Sequence, residues 1–398
     1  MTEPAVGNRL LFSFSALSAC LSAGYGVLFT VVADYRDNYG ISESAIGWII
    51  GIGFLAGFVS QMTIAPIGDR GHARTLVLAG VALNAVGLLM MGFGQDLTTI
   101  LAGRVVSGLA IGAANPAVRR IVVLADPANL GRNLGRLLSA DVFGFALGPA
   151  VSAVLVGPFG LAAPFIAIAA ASVAVVALTF GAKVDEVAEP TGNRLALDLL
   201  AIKPFAGAVV LGATAFLMIG TFDALWDVVH SDLGTADWMA NLGISLFAIP
   251  LIVLGPTGGR LAQELGPFRL GAAGLLFAAG FMGSYGLLPS GGWIFTFAMV
   301  HAVTDGITIA TSGVAVALTV PPERQAGAQG VLGAAQALAA GAMAAVAGGL
   351  YQSAGRAVVY LTTAAVMVAM VVIGMALARS VWRVHPRLRT AGRSAPRP

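Results

Sequence analysis

Charge is what this 398-residue sequence has least of. Asp, Glu, Lys and Arg make up 10% of it, against roughly a quarter of a soluble globular chain. A soluble fold needs such groups to cover its surface, so the shortage excludes one. A hydrophobic fraction of 58% and a mean hydropathy of +0.88 place the chain among polytopic membrane proteins instead. Cysteine is nearly absent too. Cys20 alone excludes an intrachain disulfide, and it falls in an apolar run where packing is its expected role. Lysine is scarce: only Lys183 and Lys203 among 22 basic residues, a bias that with 52 glycines suggests a high-GC bacterial genome. Metal-ligand spacings, G-x-S-x-G, H-E-x-x-H and a P-loop are all missing. The four histidines, His72, His230, His301 and His385, lie far apart. No enzyme is expected, and no metal or other cofactor. The longest polar stretches, 182–203 and 379–398, are too short for an added sensor domain. A net charge of +3 and a pI near 9.3 would suit nucleic acid, but the placement of the basic residues explains them better as topology signals, and no nucleic-acid partner is expected.

Long apolar runs are what the sequence has most of. A helix crossing a core about 30 Å thick needs about 20 apolar residues. Twelve runs qualify: 10–33, 44–66, 75–94, 97–118, 135–156, 160–181, 204–227, 238–257, 268–288, 292–319, 325–349 and 356–378. No A-x-A cleavage pattern follows the first, which reads as a retained helix rather than a signal peptide. Nineteen basic residues fall in the segments on the N-terminal side of the membrane, among them Arg70, Arg74, Arg119, Arg120 and six tail arginines from Arg379 to Arg397. Only Arg36 and Arg356 fall on the other side, and Arg104 lies within a span. By the positive-inside rule both termini are cytoplasmic, which for a bacterial chain implies the inner membrane. The basic tail is expected to anchor at the inner surface, against membrane lipid.

One long inside connection, 182–203, divides the spans six and six. The expected organisation is an N-terminal bundle over 1–181, this linker, a C-terminal bundle over 204–378 and the tail 379–398. The halves echo each other. "APIGDR" (65–70) and "GPTGGR" (255–260) stand 190 residues apart; "DPANLGRNLG" (126–135) and "PPERQAGAQG" (321–330) stand 195 apart. Two echoes at nearly one offset, in register with the helix count, support a repeat, an arrangement suited to a transporter that rocks two halves about a central site.

At this point the residues resemble the major facilitator superfamily. "GDRGHART" is similar to its loop motif G-x-x-x-D-R-x-G-R-[RK] after the second helix, with Asp69, Arg70 and Arg74 in place and Ala65, His72 and Ala73 departing from it. "RVVSG" at Arg104–Gly108 resembles the R-x-x-Q-G motif of proton-coupled members, with Ser107 for Gln. "GFALGPAVSA" resembles the antiporter motif G-x-x-x-G-P-x-x-G-G at Gly144, Gly148 and Pro149, with Ser152 and Ala153 at its last positions. The resemblance implies an all-α fold of twelve helices in two pseudo-symmetric six-helix bundles around a central cavity. It implies a cytoplasmic latch in which Asp69 faces the N-terminus of the eleventh helix and Arg70 a neighbouring helix end. It also places spans 1, 4, 7 and 10 on the cavity and 2, 5, 8 and 11 on the seam.

Ionisable residues within a span are costly, at about 2.5–3.5 kcal/mol for a charge at mid-depth, and usually serve a function. Here they are Arg104, Asp141, Asp223, His301 and Asp305, with Asp34 and Asp227 near outer ends. All lie on the presumed cavity or seam spans. At 1.5 Å per residue His301 and Asp305 lie roughly 14 and 20 Å into the tenth span, and Asp141 about 9 Å above the inner edge. A carboxyl in an apolar cavity holds its proton more tightly than in water, and once deprotonated it attracts a cation. One acid can therefore serve a proton and a substrate in turn. Asp141 and Asp305 are the leading coupling candidates, with His301, Arg104 and Asp34 beside them; Arg104 would tune an acid or pair with Asp34. Asp223, Asn241 and Gln336 join His301 and Asp305 as expected cavity residues. His301–Asp305 has a second reading, a hydrogen-bonded pair that stiffens its helix. The expected function is proton-coupled export of amphipathic or cationic small molecules by a monomer; an exporter of one amino acid, sugar or nucleoside is the alternative.

Overall fold

The computed structural model describes residues 5–179 and 195–382. Most of the linker and nearly all of the basic tail therefore lie outside the described residues. Helices and short turns account for the rest, with no strand among the described residues. The helices are α1 (Ala5–Tyr39), α2 (Glu43–Thr63), α3 (Ala73–Phe93), α4 (Leu97–Ala125), α5 (Leu130–Phe159), α6 (Ala162–Thr179), α7 (Lys203–Asp232), α8 (Asp237–Leu265), α9 (Pro267–Leu287), α10 (Gly291–Thr308), α11 (Thr311–Thr319), α12 (Gln325–Leu377) and α13 (Arg379–Trp382).

Local chemistry sets the starts. Ser42 accepts from the Ala45 amide to open α2, and Pro267 stands in the first turn of α9, where a missing N–H is harmless. Asp96 opens α4. Thr99 donates to it from both its hydroxyl and its amide, which holds the Asp96 carboxyl below the usual carboxylate range.

Ten of the helical segments among the described residues are long and apolar enough to cross a membrane. The difference from the expected twelve has two sources. Ala162–Ala177 is apolar but short. And α12 runs for 53 residues with one non-helical residue, Gly355, at φ 82° and ψ 175°. A straight helix of that length would span ~80 Å, far beyond the ~30 Å hydrocarbon core. Gly355 interrupts it in a conformation that only glycine adopts readily, so α12 is two apolar helices that meet at this residue. Large apolar side chains lie bare along the helices, including Phe12, Phe159 and Phe277 at 69, 72 and 68% exposure. Water would not tolerate so much of this surface, and lipid does.

Two compact units make up the chain. Unit 1 comprises Met1–Ala128, Arg136–Ala196 and Pro321–Ala334; unit 2 comprises Asn129–Gly135, Leu197–Val320 and Ala335–Pro398. In unit 1, α4 packs on α2 and α3, and α6 on α1 and α3. Six helices later the pairing recurs in unit 2, where α10 packs on α8 and α9. Each unit has its own apolar core, one around Val27, Leu88 and Phe165, the other around Phe222, Met282 and Tyr360.

Candidate functional site

In unit 1 the glycines of α5 build the first cluster. A side chain at Gly144 would strike the backbone of Ala19, and one at Gly148 the backbone of Ala23 to Val27. Their absence lets α5 lie directly on α1, while Pro149 is exposed. One turn before Gly144, Asp141 then meets the serines of α1. Ser18 donates to Asp141 Oδ1, and Ser22 donates to the same oxygen at 3.4 Å. Arg119 Nη2 stands 3.9 Å from Oδ2, and the Asp141 side chain keeps 19% of its surface exposed. Asp141 is thus a carboxylate with hydroxyl donors on one oxygen and a loosely held cation on the other.

Arg104 lies deeper in unit 1, at 1% exposure. Its Nε donates to the carbonyl of Ile49 at 3.2 Å, and its guanidinium sits 4.2 Å over the ring of Tyr25. The expected ion pair with half-buried Asp34 is not present among the described residues. The reason is depth: Arg104 is held at the level of Tyr25, and Asp34 lies nine residues further along α1, ~13 Å away along the axis.

Unit 2 holds a drier cluster. His301 and Asp305 are 1 and 2% exposed, inside the core rather than on its surface. The His301 ring stacks on Phe281 at 4.9 Å and meets Phe247 edge-on at 5.9 Å. Its Nδ1 lies 2.9 Å from the Tyr285 hydroxyl, and its Nε2 3.5 Å from Asp305 Oδ1. Tyr285 and Nδ1 share a hydrogen bond, while Nε2 is buried near Asp305 without a hydrogen-bond partner among the described residues. The second oxygen of Asp305 is buried with no hydrogen-bond partner among the described residues.

The Asp69 loop and its echo form two joints. In unit 1 Asp69 accepts from the backbone amides of Ala326 and Gly327, at 2.8 and 2.7 Å, in the first turn of α12. Those amides have no partner within their own helix, and the helix dipole favours an anion there. Arg120 adds an ion pair at 3.1 Å, fully buried. Arg70 and Arg74 are half-buried beside it. At the offsets of the two sequence echoes, Gly259 corresponds to Asp69 and Gly131 to Ala326. These twins meet in unit 2, backbone against backbone, with no room for a side chain on either. There the free amide of Gly131 donates to Gln263 Oε1 at 2.8 Å.

The remaining expected residues are dispersed. Asp223 is exposed on α7, Gln336 is buried in α12 at 7% exposure, and the side chain of Asn241 on α8 lies outside the described residues. Sequence reasoning treated Arg119 and Arg120 as topology charges. Neighbours on a helix point about 100° apart, so one reaches Asp141 and the other Asp69. It also passed over Ser18, Ser22 and Tyr25, whose spacing of four and three on one helix face was the available signal.

Apolar helices in this number, with charges gathered into internal clusters, define a multi-pass membrane protein of the all-helical class. The profile of the Major Facilitator Superfamily matches residues 14–225. The chain belongs to the Major Facilitator Superfamily. It is similar to an uncharacterized MFS-type transporter, MJ1560, of Methanocaldococcus jannaschii, 27% identical over 143 residues, which are 36% of this chain and 37% of that one. It is 25% identical over 149 residues to the quinolone resistance protein NorA of Staphylococcus aureus, again 36% of this chain and 37% of NorA. The chain thus spans little more than a third of the length of these curated relatives. Among solved structures, the human organic anion transporter MFSD10 (TETRAN) has a TM-score of 0.75 at 14% identity, covering 94% of this chain and 100% of that one. FucP in an outward conformation has a TM-score of 0.75 at 15% identity, covering 93% and 98%. At such identities the two share its fold.

Proposed function

We propose that this chain is a secondary transporter, not an enzyme, that exports amphipathic or cationic small molecules in exchange for protons by alternating access. One observation carries the reading: Asp141 sits within a span, accepting from Ser18 and Ser22, with Arg119 near but beyond hydrogen-bond distance. Such a carboxylate is stable enough to exist as an anion and open enough to exchange its partner. It binds either a proton or a substrate cation, and competition between them couples the two flows. A relative named for quinolone resistance supports a drug-like cargo.

The other clusters take roles around this exchange. His301 and Asp305 are the second proton site, with Tyr285 orienting the imidazole. Asp223 and Gln336 face the substrate path, and Asp34 lies toward its outer end. Asp69, with Arg70 and Arg74, latches the inner side, and Gly144, Gly148 and Pro149 let α5 slide and bend on α1. The protein works as a monomer in a bacterial inner membrane, both termini cytoplasmic, its two six-helix bundles joined by the linker 182–203.

Reconstitution tests this reading. Proteoliposomes with an imposed pH gradient should show proton flux on addition of a transported lipophilic cation. Flux that ignores the gradient would overturn the coupling.

A further inference from the structure

Among its described residues, unit 1 holds an arginine with no acid paired to it. Arg120 faces Asp69 at 3.1 Å and Arg119 faces Asp141 at 3.9 Å. Arg104, 1% exposed, has only the Ile49 carbonyl and the face of Tyr25, and its Nη2 is buried with no hydrogen-bond partner among the described residues. A buried guanidinium inside an apolar span is unfavourable, and one carbonyl and one ring do not replace a counter-charge. Yet the place is kept for it: any side chain at Gly53 would overlap the guanidinium. Arg104 is therefore accommodated by the surrounding chain and left uncompensated.

The face of α1 connects this cation to Asp141. Ser18, Ser22 and Tyr25 lie on one side of the helix, the serines on Asp141 and the tyrosine over Arg104. Seven residues separate Ser18 from Tyr25, a rise of ~10 Å. Along that face an acid and an unpaired base stand about two turns apart, and the surface beside them is apolar. Tyr25 is half-buried, and its ring neighbours Phe54 and Phe145 are 40 and 38% exposed. The cover over Arg104 is thus one aromatic side chain at the edge of the packed core.

We infer that Arg104 is an anion subsite, and that the molecule this unit takes is an extended zwitterion whose carboxylate pairs with Arg104 while its ammonium pairs with Asp141. The carboxylate takes the vacant Nη2 edge of the guanidinium, in the geometry that arginine favours, as Tyr25 swings aside. This deepens the exporter reading and rests on it for the role of Asp141, while the role of Arg104 stands on its own geometry.

Equilibrium binding to the purified full chain in detergent micelles at pH 7 tests it without any gradient, so a failure of proton coupling leaves the result untouched. The probes are 4-(4-aminobutyl)benzoate, its methyl ester and 4-butylbenzoate, followed by calorimetry. The wild type should bind the zwitterion about tenfold more tightly than the ester, as one charge-assisted pair implies. Arg104→Gln should remove that preference and leave ester affinity unchanged; Arg104→Lys should keep part of it. Asp141→Asn should weaken zwitterion and ester alike and leave 4-butylbenzoate unaffected. Equal affinity of the wild type for acid and ester overturns the inference, as does no binding of the zwitterion at millimolar concentration. An equal loss for both in Arg104→Gln would make Arg104 a packing residue. Should that variant fail to fold, the wild-type comparison of acid with ester decides alone.

Discussion

The two units meet the same two needs with different chemistry. Each has an acid inside a span and a joint at its copy of the repeated loop motif. Unit 1 uses charge for both: Asp141 faces Arg119, and Asp69 faces Arg120. Unit 2 uses neutral and aromatic groups: Asp305 faces a histidine packed between phenylalanines, and Gly259 lies bare on Gly131 under a glutamine cap. At the joints, whose residues correspond between the halves, the repeat keeps the position of a contact and not its means; the two acids, on α5 and α10, do not correspond. A charged joint releases and reforms as its ions find water, whereas a backbone-to-backbone joint holds by shape. Likewise a carboxylate among hydroxyls can exchange partners, while one inside an aromatic core exchanges little but a proton.

The largest expected break in this contrast is Asp141→Asn. It should reduce gradient-driven flux in proteoliposomes to background and also weaken cation binding in micelles. Asp305→Asn should abolish coupling but keep cation binding; loss of both there would show that the units do not divide the work. Next is Asp69→Ala, which leaves Arg120 buried beside two unpartnered amides. Breaking a buried pair in this way destabilises by roughly 3–5 kcal/mol, and the unfolding temperature in micelles should fall well below that of Asp69→Asn. An unchanged unfolding temperature would remove the latch. Gly259→Ala forces a methyl group into a backbone contact in unit 2. Overpacking of this kind amounts to about 1–3 kcal/mol, so thermal unfolding should register a smaller loss than for Asp69→Ala. The smallest effect belongs to Tyr285→Phe. It deletes one neutral hydrogen bond, worth about 0.5–1.5 kcal/mol, and its sharper readout is the His301 imidazole signal in NMR, which should move without loss of fold.

Particular residues show where the sequence could be read and where it could not. The all-helical membrane class follows from composition, because a shortage of charge is visible residue by residue. Asp141 stood out because an acid within an apolar run is anomalous wherever it points. Its serine partners did not, since hydroxyls on an apolar helix are common and only a second helix reveals which face they share. Arg104 was equally visible, but its pairing with Asp34 was inferred from proximity to one side of the membrane, and a helix places residues by depth along its axis. The two apolar stretches that hydropathy separates within α12 are also separate helices in the structure, because the backbone leaves helical geometry at Gly355.

The sequence by itself determined the solvent of this protein, its helical class and the identity of its few charges, because each depends on residue type and local spacing alone. Which charges face one another was decided only by the tertiary structure. Arg119 and Arg120 are neighbours in the chain, yet one turns to α5 and the other to the Asp69 turn before α3. Asp69 reaches amides 257 and 258 residues away. Such contacts depend on how helices pack, and packing here depends on where glycines let two backbones touch, a property of pairs of helices that no single stretch of sequence contains.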